Sequence, residues 1–180
     1  MPPNKERLYI ALYAHVGHPL CWEKKTREYH WALLVGPKVE VENGRCMRYD
    51  VKERIIGPNA SKWLFEEAET TSSANSIPFV RVMIAKIEKK DRFRSIVRNT
   101  LIREGVEGWN SVMWVQQALQ NLKADGKALG TGVTGWTKVR NATMEYYQRK
   151  NEEHRFDAQE TYDILKAPMY DLVERQERLP

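Results

Sequence analysis

Cysteine is scarce in this chain of 180 residues: there are two, Cys21 and Cys46. That argues against a disulfide framework and fits a reducing compartment. Long hydrophobic runs are missing too, since no apolar stretch approaches the roughly 20 residues that span a bilayer. The first residues, Met1-Pro2-Pro3-Asn4-Lys5-Glu6-Arg7, lack the apolar centre of a secretory leader, so an intracellular, cytoplasmic protein with no membrane partner is expected. No glycine-rich phosphate loop of the dinucleotide or Walker type is present. The glycines from Gly126 to Gly135 neither follow a strand nor contain Gly-Lys-Ser/Thr, and they read as a flexible connection or lid. No cofactor is expected. Internal repeats and low-complexity tracts are absent as well.

What is present suits one globular domain. Hydrophobic residues make up 42% and charged residues 29%, which is ordinary for a chain able to bury a proper core. The formal charge of +5 favours acidic partners without specifying nucleic acid. Basic residues gather at Arg92, Arg94, Arg98 and Arg103, and again at Lys138, Arg140, Arg149 and Lys150. The plain reading is two solvated helix faces. The sharper one is a platform for a polyanion such as RNA, with Trp136, Tyr146 and Tyr147 interleaved.

Strands are predicted first. Leu8–Ala14 reads as a doubly buried strand. Tyr29–Val35 is a second, stopped by Gly36-Pro37, with Tyr29, Trp31, Leu33 and Val35 on one face and His30, Ala32 and Leu34 on the other. The segment between them, His15 to Arg27, reads as a loop. Asn43-Gly44 signals a turn into a third strand, Cys46–Lys52, hairpin partner of the second. Phe79–Ile87 is the fourth. Asn59 or Ser61 could cap a short helix running through Trp63 and Leu64 to Glu69, before an exposed loop at Thr70–Ser76. Asp91 is a good N-cap for a helix with Phe93, Ile96, Val97 and Leu101 on one stripe, closed by Gly105. A helix begins near Asn110, and another covers Trp136–Lys150. The expectation is an α+β domain over residues 1–156, an antiparallel sheet with helices on one side, and a tail over 157–180 that wraps the surface.

One short stretch concentrates the chemistry. Trp109-Asn110-Ser111-Val112-Met113-Trp114-Val115 places a hydroxyl in the first turn of a buried helix, where unpaired N–H groups and the helix dipole favour an anion and can hold a tetrahedral oxyanion. His30 sits on a strand with Ala32 and Leu34, small and apolar neighbours expected to pack on such a helix. Taken singly, a serine near a helix start is usually a cap, and a strand histidine is usually a satisfied core residue. Together, and in this order, they resemble the permuted papain-like thiol enzymes, the group that includes lecithin:retinol acyltransferase-like, PPPDE-type and NlpC-like proteins. The residues carrying the resemblance are Tyr29-His30-Trp31-Ala32-Leu33-Leu34-Val35, Arg48-Tyr49-Asp50-Val51 and the Trp109–Val115 stretch. With His154-Arg155-Phe156-Asp157, the chain is most similar to a set of uncharacterised fungal proteins of comparable length.

The resemblance implies a permuted papain-like fold, His30 as general base and residue 111 as nucleophile. The residue that orients the imidazole usually lies on the next strand. Asp50 is the polar candidate there. It shares a face with Cys46 and Arg48, whereas Met47, Tyr49 and Val51 look like the core face, which leaves Tyr49 as the second candidate. Asn110 could aid the oxyanion. The departure is Ser111, where these enzymes carry cysteine, because a hydroxyl has no accessible anion near neutral pH. A deliberate Cys→Ser replacement, a natural serine that works with His30, and a protein that has lost catalysis all remain open.

His15-x-x-His18-x-x-Cys21 has a zinc-compatible spacing but no evident fourth ligand, so no metal is expected. The best reading is acyl transfer or amide-bond cleavage through a covalent acyl intermediate. A small-molecule or peptide acyl donor would be the substrate, and an aminoacyl-tRNA or other polyanion is a further option. The rival is an inactive relative that binds a peptide or RNA. The two differ in geometry: an enzyme should hold His30 within hydrogen-bond reach, or one water, of residue 111, and side chains pointing to opposite faces of the sheet would sink the catalytic reading.

Overall fold

The protein is described here from a computed structural model, which describes residues 5–14, 29–40, 44–70, 77–159, 161–163 and 166–180. The segment 15–28, with the His15/His18/Cys21 spacing, lies outside the described residues, as do Asn43 of the expected turn and residues 71–76. The elements are β1 (Arg7–Ala14), β2 (Tyr29–Gly36), β3 (Cys46–Gly57), β4 (Ala60–Thr70), β5 (Val80–Ile87), α1 (Lys90–Arg98), α2 (Ser111–Asp125), β6 (Leu129–Gly132), α3 (Trp136–Glu152), β7 (Met169–Asp171) and β8 (Gln176–Leu179). The eight strands form one sheet in the order β4-β3-β2-β1-β5-β7-β8, with β6 also paired to β5. Every pairing is antiparallel except β5 with β7. The expected α+β class holds.

Strand alternation divides the sheet into two faces. Leu8, Ile10 and Leu12 of β1, Trp31 and Leu33 of β2, and Tyr49 and Val51 of β3 enter one core with Phe93, Trp114, Val115, Leu119 and Val139 from the three helices. Tyr9, Ala11, Leu34, Met83 and Met169 form a smaller cluster on the other face, to which none of the helices contributes. Helices on one side of the sheet is therefore the observed arrangement. None of the helices is long and apolar enough to cross a membrane.

Four expectations change. Residues 60–70 are strand β4, paired with β3 from Cys46↔Thr70 to Gly57↔Ala60, and not a short helix. The Trp63-Leu64 pair is ambiguous by periodicity, and alternation decides it: Trp63 and Phe65 pack on the core while Leu64 is exposed. Helix α1 has Lys89 and not Asp91 at its N-cap, with Asp91 inside the first turn, and it ends at Arg98, well before Gly105, with Leu101 exposed. Asn99 Nδ2 donates to the Ser95 carbonyl at 2.7 Å and Thr100 Oγ1 to the Ile96 carbonyl at 3.0 Å, so side chains take carbonyls that a longer helix would need. The glycine-rich segment is no lid: Leu129–Gly132 is strand β6. A Cβ on Gly132 would stand 2.5 Å from that of Ala85, so glycine is what lets the two backbones approach. The tail does not wrap the surface either. Its residues Met169–Asp171 and Gln176–Leu179 are strands that extend the sheet beyond β5.

Candidate active site

The first half of β2 has an incomplete ladder. Its pairing with β3 covers Leu33↔Tyr49, Leu34↔Arg48 and Val35↔Met47, whereas β1 pairs with it along its whole length. Below Leu33 the first turn of α2 supplies the acceptor that β3 does not: the Trp31 amide donates to Ser111 Oγ at 3.2 Å, and both residues are buried. Asn110 is the N-cap, in extended backbone, and its side-chain oxygen accepts from the Met113 amide at 3.4 Å. The Trp114 amide reaches the Asn110 carbonyl at 3.2 Å. By helix geometry this leaves the Ser111 and Val112 amides as the unpaired donors of the first turn. The Asn110 side-chain oxygen is committed to capping.

His30 projects from the other side of β2. Its Nε2 lies 2.5 Å from Asp50 Oδ2, and Asp50 is fully buried while the imidazole is largely so. An ionised carboxylate only accepts, so Nε2 is the nitrogen that donates, and in the neutral imidazole Nδ1 is then the one free to take a proton. Among the described residues Nδ1 has no hydrogen-bond partner. Arg48 places Nε 3.2 Å from the same Asp50 oxygen and reaches Glu66 of β4 with its NH2 group at 2.5 Å. A chain of polar and charged groups thus crosses three strands, His30 to Asp50 to Arg48 to Glu66. Tyr13, paired in register with His30, sets its ring 6.2 Å from the imidazole, with the Arg48 guanidinium 6.0 Å from the Tyr13 ring centre. Burial raises the Tyr13 hydroxyl pKa above its ordinary value, against the pull of Arg48. Among the described residues, the Tyr13 hydroxyl and Asp50 Oδ1 are both buried without a hydrogen-bond partner.

The expected face was the wrong one. Trp31 and Leu33, not His30, Ala32 and Leu34, receive the helix, because the larger apolar side chains of β2 fill the space under α2. His30 therefore shares a face with Asp50 by alternation, which strengthens that pairing. Tyr49 does not reach His30. It packs edge-on to Phe93 at 5.5 Å on the helix side, with its hydroxyl pushed up to about 12 by burial and by Glu67. Among the described residues no hydrogen bond joins His30 to Ser111. The site comes together in two parts, the histidine–carboxylate chain on one face and Ser111 reaching in from the α2 side, which meet at the His30–Trp31 peptide. Arg48, Glu66 and Tyr13 were not singled out as partners of the site. The alternation that puts Arg48 on the Asp50 face was the available signal for Arg48, and Tyr13 follows only once the β1–β2 register is known.

The fold and site define an α+β protein with one mixed sheet, three helices on one face and a histidine–carboxylate pair opposite the start of the central helix. The chain belongs to a family of unknown function (DUF6914), which matches residues 5–179. No curated protein and no solved structure matches it.

Proposed function

We propose that this chain is an acyl-transfer or amide-cleaving protein of permuted papain-like fold. Residue 111 is its nucleophile position, His30 its base and then its acid, and Asp50 the group that orients His30. The observation that carries this reading is the 2.5 Å contact of His30 Nε2 with Asp50, which leaves Nδ1 as the nitrogen able to take a proton. Nδ1 is also the ring nitrogen nearer the backbone, and Ser111 Oγ is docked on the amide that follows His30. A hydroxyl that accepts from an amide keeps its own hydrogen to donate, and the amide stabilises the anion formed when that hydrogen leaves.

In the reaction, residue 111 attacks a carbonyl carbon as its proton passes to His30 Nδ1. The C–O bond to residue 111 forms (C–S with a thiol), and the carbonyl π electrons move onto oxygen. The Ser111 and Val112 amides are placed to receive that oxyanion. Collapse breaks the bond to the leaving amine or alcohol, which takes the proton from His30. Water or an acceptor then releases the acyl group by the reverse proton path.

A second reading has its own support. His30 and Ser111 project from opposite sides of β2, which by the criterion set out from the sequence tells against catalysis, and Ser111 is 5% exposed and bonded to the Trp31 amide and not to His30, which suits a structural serine in an inactive relative that binds a peptide or RNA. Alkylation of Ser111→Cys by iodoacetamide across pH, with the labelled peptide mapped to separate it from Cys21 and Cys46, tells the two apart. The catalytic reading predicts fast labelling near neutral pH that collapses with His30→Ala and slows with Asp50→Asn. Slow labelling indifferent to His30 would sink it and leave the binding reading. A total lack of salt-sensitive RNA binding would remove the RNA and aminoacyl-tRNA extension.

A further inference from the structure

The second basic cluster of the sequence lies on a concavity apart from Ser111 and His30. Lys138, Asn141, Ala142, Glu145 and Arg149 follow one stripe of α3 at helical spacing, and with Tyr146, Tyr170, Leu172 and Arg175 they line a groove of about 510 Å³. At 1.5 Å per residue, Lys138 and Arg149 stand about 16 Å apart along the helix. Size and length both suit a small organic ligand.

Its charge is only partly compensated, for identifiable reasons. Arg149 touches Glu153 and Glu177 only at 3.9 Å. Both carboxylates are engaged more closely by the buried Lys150, at 2.6 Å for Glu153 and closer still for Glu177. The Arg149 guanidinium instead lies over two rings, 5.1 Å from the centre of Tyr146 and 5.8 Å from that of Tyr170. That support restricts its rotamers in advance and lowers the ordering cost of binding an anion. Lys138 and Arg175 have no ion pair among the described residues. Lys138, Arg149, Lys150 and Arg175 therefore stand against Glu145, Glu153 and Glu177, a surplus of one cation. Arg175 also holds a φ of +54° in the turn between β7 and β8, a left-handed conformation that costs a non-glycine residue about 1–2 kcal/mol. A strained residue retained at the rim of a groove points to use.

We propose that this groove binds a small molecule bearing a phosphomonoester, with the phosphate on Arg149 and Arg175 and the remainder lying along α3 toward Asn141 and Lys138. A phosphomonoester carries close to two negative charges near neutral pH, and Arg149, only loosely paired, and Arg175, without an ion pair among the described residues, can each meet one of them. Its oxygens suit the forked donors of two guanidinium groups.

Titration calorimetry with AMP, adenosine and inorganic phosphate tests this. AMP should bind, inorganic phosphate more weakly and adenosine not measurably. Arg175→Gly should weaken AMP by about tenfold or more, while the Tm of the free protein stays the same or rises, since glycine tolerates that φ. Lys138→Ala, on an exposed helix face, should weaken AMP but leave inorganic phosphate unchanged. No AMP binding at millimolar concentration, AMP binding untouched by Arg175→Gly, or binding of a ten-nucleotide RNA without binding of AMP would each overturn the proposal.

Discussion

Asp50 has no exposed surface, yet it meets the imidazole of His30 and the guanidinium of Arg48 while one of its oxygens has no hydrogen-bond partner among the described residues. A buried carboxylate so placed is held by its partners, and removing it leaves the His30 ring N–H without its acceptor and Arg48 paired with Glu66 alone. Asp50→Ala should cost about 3–5 kcal/mol, the range for breaking a buried ion pair. Ser111→Ala should cost about 1–3 kcal/mol, because the Trp31 amide loses the Ser111 hydroxyl as acceptor in a buried position. Urea denaturation of the two variants measures both. A cost near zero for Ser111→Ala would mean that water replaces the hydroxyl, and that Ser111 is not needed to hold β2 against α2.

Helix α2 carries chemistry at one end and an electrostatic anchor at the other. Gly126 closes it in the left-handed region, and Asp125 accepts from Arg92 of α1 at 2.6 Å and from the Lys127 and Ala128 amides at 3.0 and 2.8 Å. The Arg92 hydrogen bond holds the Asp125 carboxyl below its ordinary 3.8, against the opposing effect of burial, and the two amides add to the lowering. The folded state thus binds this proton less readily than the unfolded chain does. The resulting stability is complete above about pH 4 and drains away as pH falls further. Asp125→Asn should therefore lower Tm at neutral pH, with the gap to the parent closing toward about pH 2. A constant gap would assign the effect to packing.

Elements with strong patterns were legible in sequence: β1, β2 and β5 from apolar runs, and α2 and α3 from helical spacing with Asn110 and Gly126 at the ends of α2. β4 was not, because Trp63-Leu64 fits either period and only its partner β3 selects the strand. Nor were β6 and β7, which are short and owe their conformation to the edge of β5. At the site, alternation fixed which residues share a face with His30, and motif resemblance singled out residue 111. Which face meets α2 was not legible, since that depends on how Trp31 and Leu33 fill the space beneath the helix.

At the scale of the molecule, the sheet draws on residues from Arg7 to Leu179, with β1 near its middle and β8 at one edge. No strand has a core of its own, so unfolding should be a single transition. Far-ultraviolet circular dichroism and tryptophan fluorescence should give coincident urea curves. Two separated curves would show that the 157–180 segment is an independent unit after all.

One edge of β5 is divided between two late-arriving strands, β7 along Arg81–Met83 and β6 along Ala85–Ile87. During synthesis β1, β2, β3 and β4 can assemble beside β5 as soon as it emerges, but that edge stays open until residue 171 has left the ribosome. Half of the delay ends with the β6 segment and half only with β7, so the nascent chain passes through a stage with a short, apolar, unpaired strand edge. Such an edge is where intermolecular strand pairing starts. Slowing translation between Gly132 and Met169 would therefore be expected to lower soluble yield, although it changes nothing in the finished fold.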